Sequence, residues 1–170
     1  MGLKQIKCVD INGTIINNLK VWRLKNPRKL YFESQFELDA YRLLKASGLN
    51  FEFHPESREL LPKKQVWALS KSKIKKLFKS TTRTISYTPD FAVHCDDGKT
   101  IFIETKGFFH KDSRMRYKLF QHSLSKTEMS LLVFDTYNKK GQDRMTDLKV
   151  IIKIIKNEFN KKNSTNKINI

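Results

Sequence analysis

The sequence predicts an α/β domain: a mixed sheet of four or more strands flanked by helices, in the order αβββαβ. Three observations carry that prediction. Residues 34–48 place apolar side chains at helical spacing behind a capping box. Phe51–Phe53, Tyr87–Phe91 and Ile101–Gly107 read as strands, the last two joined through a turn at Asp96-Asp97-Gly98. Residues 112–124 then read as a helix that leads into the apolar strand Ser130–Phe134. Because helices bracket a three-stranded meander, the fourth strand arrives by a helical crossover, which gives a mixed sheet with helices against it.

Taken in order, the apolar run Ile6–Ile11 turns at Asn12-Gly13 into Thr14-Ile15-Ile16, a hairpin signal, and forms an N-terminal hairpin or arm over residues 1–33. Residues 20–31 interleave Lys20, Arg23, Lys25, Arg28 and Lys29 with Trp22 and Tyr31, as a solvated loop or a backbone-binding surface would. Ser34 and Glu37 make the capping box of the first core helix, Phe36, Ala40, Leu43 and Leu44 its apolar face, and Gly48 its stop. On the residues alone, Glu37 is a cap that bonds the Ser34 N–H. Phe51-Glu52-Phe53-His54 alternates as a half-buried strand and ends at Pro55.

From Leu60 to Pro89 there is no acidic residue, while Lys63, Lys64, Lys71, Lys73, Lys75, Lys76, Lys79 and Arg83 accumulate. Trp67, Ile74, Leu77 and Phe78 suggest a short basic amphipathic helix inserted at about 60–83, lying along phosphates. The helix at 112–124 starts at Asp112 or Ser113 with Met115, Leu119 and Phe120 inward and Lys111, Arg114, Arg116 and Lys118 outward, suited to phosphate contacts. Ser130–Phe134 has the composition of a strand buried on both faces, and Tyr137–Gly141 reads as a loop. Thr146 caps a last helix with Leu148, Ile151, Ile152, Ile155 and Phe159 in a stripe, which packs on the domain or on a second copy. The domain plan is therefore a core at 34–135, a C-terminal helix within 136–160 and a disordered basic tail at 161–170.

Composition bounds the partner. The chain of 170 residues carries 34 Lys and Arg against 17 Asp and Glu, a net charge of +17 and a pI near 9.9. Such an excess favours a polyanion through counterion release, and nucleic acid leads. No apolar run approaches the ~20 residues of a membrane span, and the N-terminus lacks a signal-peptide apolar core. Cys8 and Cys95 lack C-x-x-C spacing, which suits a reducing, cytoplasmic setting and argues against zinc. His54, His94, His110 and His122 show no metal spacing and read as ordinary, partly exposed residues.

The chemistry concentrates in residues 87–107. Strand alternation sends Glu104 and Lys106 to one side with Phe102, and Ile101, Ile103 and Thr105 to the other. The hairpin brings Asp90 alongside. Two carboxylates and an ammonium at a sheet edge can bind a divalent cation and offset the charge of a developing oxyanion, which phosphodiester hydrolysis requires.

Glu37, then Pro89-Asp90, then Glu104-Thr105-Lys106, on a helix and two strands, resemble the PD-(D/E)XK nuclease superfamily, whose core is restriction-endonuclease-like. Tyr87-Thr88-Pro89-Asp90-Phe91 with Phe102-Ile103-Glu104-Thr105-Lys106-Gly107-Phe108 and Asp112-Ser113-Arg114 resembles more closely the endonuclease I family of T-odd phages, the Holliday junction resolvases. That resemblance covers about residues 34–135. It implies that Asp90, Glu104 and the Thr105 carbonyl ligate Mg2+ or Mn2+, that Lys106 orients or activates water, and that Glu37 assists a second metal or its water. It further implies in-line hydrolysis leaving 5′-phosphate, action on branched DNA in a phage or mobile-element setting, and a homodimer. The segment 60–83 is longer than the link through which those resolvases exchange elements, so a domain swap is left open. A sequence-specific endonuclease of restriction, homing or transposon-end type on the same fold is the alternative. A non-catalytic nucleic-acid-binding module is a third class, disfavoured because all four expected positions hold competent residues.

Overall fold

The computed structural model describes residues 8–70, 76–106, 111–134 and 144–159. At the N-terminus β1 (Cys8–Asp10) pairs antiparallel with β2 (Ile15–Ile16). Gly13 takes φ 87° in the turn between them, and the Asp10 carboxylate accepts from the N–H groups of Asn12 and Thr14 at 2.9 Å each. The cationic stretch that follows, expected to be a loop, contains a short helix, α1 (Leu19–Lys25), because Asn18 caps it by accepting from the Val21 N–H. Trp22 and Arg23 both lie against Tyr31, which begins β3 (Tyr31–Phe32) on the other side of β1. This small sheet is no free arm. Val9 and Phe32 bury themselves with Leu38 of α2 (Gln35–Ser47).

The start and stop of α2 follow the sequence. Ser34 Oγ accepts from the Glu37 N–H at 3.1 Å, and Gly48 ends the helix in the left-handed conformation at φ 73°. The reciprocal bond differs by one residue: Glu37 Oε2 accepts from the N–H of Glu33, not of Ser34.

After β4 (Phe51–Phe53) the chain leaves the core as β5 (Arg58–Leu61) and β6 (Gln65–Leu69), then returns as β7 (Leu77–Thr81) and β8 (Ile85–Tyr87). β5 pairs with β8 and β6 with β7, both antiparallel. The amphipathic helix expected at 60–83 is thus replaced by a ribbon. Val66, Thr81 and Thr82 favour extended backbone, and Trp67, Leu77 and Phe78 serve as cross-strand residues rather than a helical stripe. Ile74 lies outside the described residues.

The chain then enters the central sheet as β9 (Phe91–His94) and turns at Asp96-Asp97-Gly98 into β10 (Thr100–Lys106), where Gly98 has φ 82°. It crosses through α3 (Lys111–Ser123) to β11 (Glu128–Phe134), which runs parallel to β10. The strand order is β11-β10-β9-β4, a mixed sheet with the predicted crossover. α4 (Arg144–Ile154) and a π-helical turn (Ile155–Phe159) follow.

Two apolar layers fix this arrangement. On one face Ala40 and Leu44 of α2 and Leu148, Ile152 and Ile155 of the last helix meet Phe91, Val93, Ile101 and Ile103. On the other, Tyr117 and Phe120 of α3 meet Phe102, Leu132 and Tyr87. The C-terminal helix therefore packs on its own domain. It begins at Arg144, so Thr146 lies inside it and does not cap it. Inside α3 the buried residues are Phe120, as expected, and Tyr117, bonded to Ser130 at 2.8 Å, while Met115 faces outward. β11, expected to be buried on both faces, is the edge strand of the described sheet, with Leu131 and Leu132 partly buried against the two opposite apolar layers. The loop at 137–141, the tail at 161–170 and His110 lie outside the described residues.

Candidate active site

Three carboxylates are buried on neighbouring elements: Glu37 on α2, Asp90 at the entry of β9 and Glu104 on β10. Glu37 is 3% exposed, Asp90 5% and Glu104 2%. Burying charge is costly unless each group has a fixed partner or a cation to hold, so three buried acids at one end of a sheet need a chemical reason.

For Asp90 the fold provides the partner. The β9–β10 ladder reaches Phe91 opposite Ile103, and just beyond it Asp90 Oδ2 accepts from the Thr105 N–H at 2.7 Å and from the Thr105 hydroxyl at 2.6 Å. Thr105 therefore fixes the carboxylate by donating to it. These bonds use the Thr105 N–H and hydroxyl and do not involve its carbonyl.

For Glu37 the partner is His54, a residue that no motif or spacing places here. His54 Nε2 lies 2.9 Å from Glu37 Oε1, and the His54 N–H donates to the Asp90 carbonyl at 2.8 Å. The ring stacks on Phe53 at 3.9 Å, and the backbone takes φ 49° as the chain turns out of β4 before Pro55. Histidine tolerates this left-handed region better than most residues, but it stores about 1 kcal/mol or more. Burial of the ring opposes its protonation. The bond to Glu37 and the charges of Glu37, Asp90 and Glu33 outweigh it, so His54 titrates above its ordinary value. One ligand atom each from Glu37, His54 and Asp90 lie within 4.8 Å of one another, a spacing that could hold a metal ion. Glu37 thus uses both oxygens: Oε2 accepts from the Glu33 N–H at the helix entry, and Oε1 faces His54.

Glu104 stands outside that compact set, on the α3 side. It lines an open cleft with Ser86, Tyr87, Thr88, Ser113 and Arg116. Burial raises the Tyr87 phenol far above its usual range, and the charges of Glu104 and then Asp90 add to the effect. Asp90 is accordingly the shared member, facing His54 and Glu37 on one side and the Tyr87–Glu104 cleft on the other.

Lys106 ends β10 two residues beyond Glu104 and opposite Phe134, although its side chain lies outside the described residues. Lys111, Arg114, Arg116 and Lys118 are all exposed on α3, and of these Arg116 reaches the cleft. Lys76, Lys79 and Arg83 are exposed on or beside the β6–β7 ribbon, whereas Lys71, Lys73 and Lys75 lie outside the described residues. The two contributions missed by sequence reasoning are the imidazole of His54 and the double donation from Thr105. His54 ends an alternating strand just before a proline, which marks a chain reversal but not what the ring would meet.

Among the described residues no helix is long and apolar enough to cross a membrane. Residues 20–139 match a family model described as a protein of unknown function, DUF1064. No curated protein and no solved structure matches the chain.

Proposed function

We propose that this chain, which belongs to the DUF1064 family, is a metal-dependent DNA endonuclease built on a restriction-endonuclease-like core. The observation that carries the reading is the cluster of Glu37, His54 and Asp90, one ligand atom from each within 4.8 Å of the others, with buried Glu104 lining the cleft beside Tyr87. The resemblance of Pro89-Asp90 and Glu104-Thr105-Lys106 to the PD-(D/E)XK pattern supports it, as does the charge of +17.

The donor set fits a divalent cation. Carboxylates suit magnesium and manganese alike, and the imidazole of His54 adds a donor that manganese accepts more readily. Asp90, Glu104 and Glu37 would hold the ion, which when bound supplies positive charge for the developing phosphorane and acidifies a water. The remaining steps belong to the chain. Thr105 keeps Asp90 from rotating by holding one of its oxygens through two bonds. His54 holds Glu37 turned into the cluster. Lys106 orients the attacking water and offsets charge on the phosphorus, and Arg116 steadies the scissile strand from the cleft wall. The products are a 5′-phosphate and a 3′-hydroxyl.

Branched DNA is the proposed substrate, from the resemblance carried by Tyr87–Phe91 and Phe102–Phe108, in a cytoplasmic phage or mobile-element setting. Cutting a four-way junction in symmetrical pairs requires two sites, hence a homodimer. The test is magnesium- and manganese-dependent cleavage of a four-way junction, a matched linear duplex and a random plasmid library, with Glu104→Ala and Lys106→Ala as controls. Paired cuts at the junction support the reading. Cutting at one sequence transfers the site to a sequence-specific enzyme, and variants that cleave as well as wild type overturn the site assignment.

A further inference from the structure

Both faces of the ribbon β6–β7 leave large apolar side chains exposed. Cross-strand partners share a face and successive pairs alternate. One face therefore carries Gln65, Trp67, Leu77, Lys79 and Thr81, and the other Val66, Phe78 and Ser80. Trp67 is 67% exposed and Leu77 68% on the first face, Val66 41% and Phe78 46% on the second. Lys79 sits 5.7 Å from the Trp67 ring. A two-stranded ribbon with both faces in water is marginal unless something holds it, and this one is clamped at its ends. At its base the Thr82 N–H donates to the Lys64 carbonyl and the Lys64 N–H to Thr82 Oγ1, each at 2.8 Å. At its tip the Ser70 N–H donates to the Lys76 carbonyl at 2.9 Å, and the Lys76 N–H returns a bond to Ser70 Oγ at 3.1 Å.

We propose that this ribbon enters the major groove of duplex DNA, with the Trp67–Leu77 face toward the bases and the cations at its base and tip against the two phosphate backbones. Charge selects the occupant. Lys63, Lys64, Lys76, Lys79 and Arg83 flank or lie in the ribbon, and no acid occurs from Leu60 to Pro89. A second copy of the chain would set cation against cation, whereas a polyanion neutralises them. Shape agrees: ladder pairs advance about 3.4 Å each, so the five pairs of β6–β7 reach about 17 Å. The major groove of B-form DNA, about 12 Å wide, admits a two-stranded ribbon, while the narrow groove of duplex RNA does not. The proposal rests on the nucleic-acid reading above and adds to it a gripping surface away from the acids.

The test measures binding of a short fluorescein-labelled DNA duplex by anisotropy, with calcium present so that nothing is cut, beside cleavage of the same duplex with magnesium. Trp67→Ala/Leu77→Ala is expected to weaken binding about tenfold or more with the thermal midpoint unchanged, because both side chains are exposed. Lys63→Gln/Lys64→Gln/Arg83→Gln is expected to flatten the salt dependence, by about one unit of log–log slope for each phosphate that a removed cation had neutralised. In a Trp22→Phe background, duplex addition is expected to shift Trp67 emission, a signal that a merely structural role would not produce. Unchanged affinity and unchanged emission overturn the proposal, and a variant that falls from dimer to monomer assigns the ribbon to a second copy instead. Cleavage with ribbon-independent binding sinks the ribbon alone. Ribbon-dependent binding without metal-dependent cleavage sinks the endonuclease reading and leaves the ribbon proposal standing.

Discussion

Asp90 stands at the foot of the excursion that carries Trp67, yet the first is 5% exposed and the second 67%. Around Asp90 every neighbour is fixed by the sheet: Thr105 donates twice to it, and His54 reaches its carbonyl. Around Trp67 the ribbon is fixed only by its own ladder and its two clamps. Burying the acids costs desolvation, which the bonds from Thr105 to Asp90 and from His54 to Glu37 offset in part. The ribbon leaves Trp67, Leu77, Phe78 and Val66 exposed. Buried polar groups thus lie where the sheet fixes their partners, and exposed apolar groups where the ribbon stands apart from it.

The sharpest break between the two regions is catalytic. Glu104→Ala is expected to lower metal-dependent cleavage by about 10³-fold while calorimetry shows weakened magnesium binding, whereas ribbon variants keep the turnover of a small phosphodiester such as bis-nitrophenyl phosphate. Next in size is packing. Phe91→Ala, at a fully buried position, is expected to cost about 3–5 kcal/mol in urea unfolding, and Phe78→Ala on the ribbon no more than about 0.5 kcal/mol. A large loss from Phe78→Ala would show that the ribbon is part of the core and erase the contrast. Asp90→Ala comes third, because it leaves the buried Thr105 donors unmatched at about 1–3 kcal/mol. Combining it with Thr105→Val should recover part of that loss.

The smallest effect tests the root of the excursion. Arg58, in β5, forms a two-pronged pair with Glu128 of β11, Nη1 to Oε2 at 3.1 Å and Nη2 to Oε1, and its guanidinium lies 5.7 Å from the Phe102 and Phe120 rings. The bond from Arg58 draws the Glu128 carboxyl down to about 2 from an ordinary 4.5. A depressed acid contributes stability that is complete above pH 4.5 and is lost as pH falls toward 2. Arg58→Met is therefore expected to cost about 1 kcal/mol at neutral pH and to flatten the stability profile between those values. An unchanged acid limb would show that the pair does not anchor β5.

The legibility of the chain divides along the same line. The core is readable because its signals are local and redundant: Ser34 and Gly48 delimit α2, Gly98 turns β9 into β10, and the crossover of α3 follows from an apolar strand placed after a helix. Asp90 and Glu104 can be paired because the hairpin between them is short. His54 cannot, since its approach to Glu37 depends on β4 pairing with β9 and on a positive φ that no neighbouring residue encodes. The ribbon reads as a helix in the sequence because apolar residues at 67, 77 and 78 fit either period while the strand partner is unknown. Met115 and Tyr117 exchange places in α3 for a related reason: both are apolar, and the Ser130 hydroxyl that selects the tyrosine comes from another element.

The bond from the His54 N–H to the Asp90 carbonyl has a consequence for engineering. Residues 55–89 leave the sheet and rejoin it at points 2.8 Å apart, so the loop is closed before any of its interior is specified. A stretch with ends already in register can be shortened, lengthened or exchanged for another hairpin at little entropic cost, since loop closure grows only slowly with length. Grafting a different ribbon between Pro55 and Pro89 is therefore expected to leave β4, β9 and the acids where they are, which comparing the thermal midpoint of the graft with that of the parent would check.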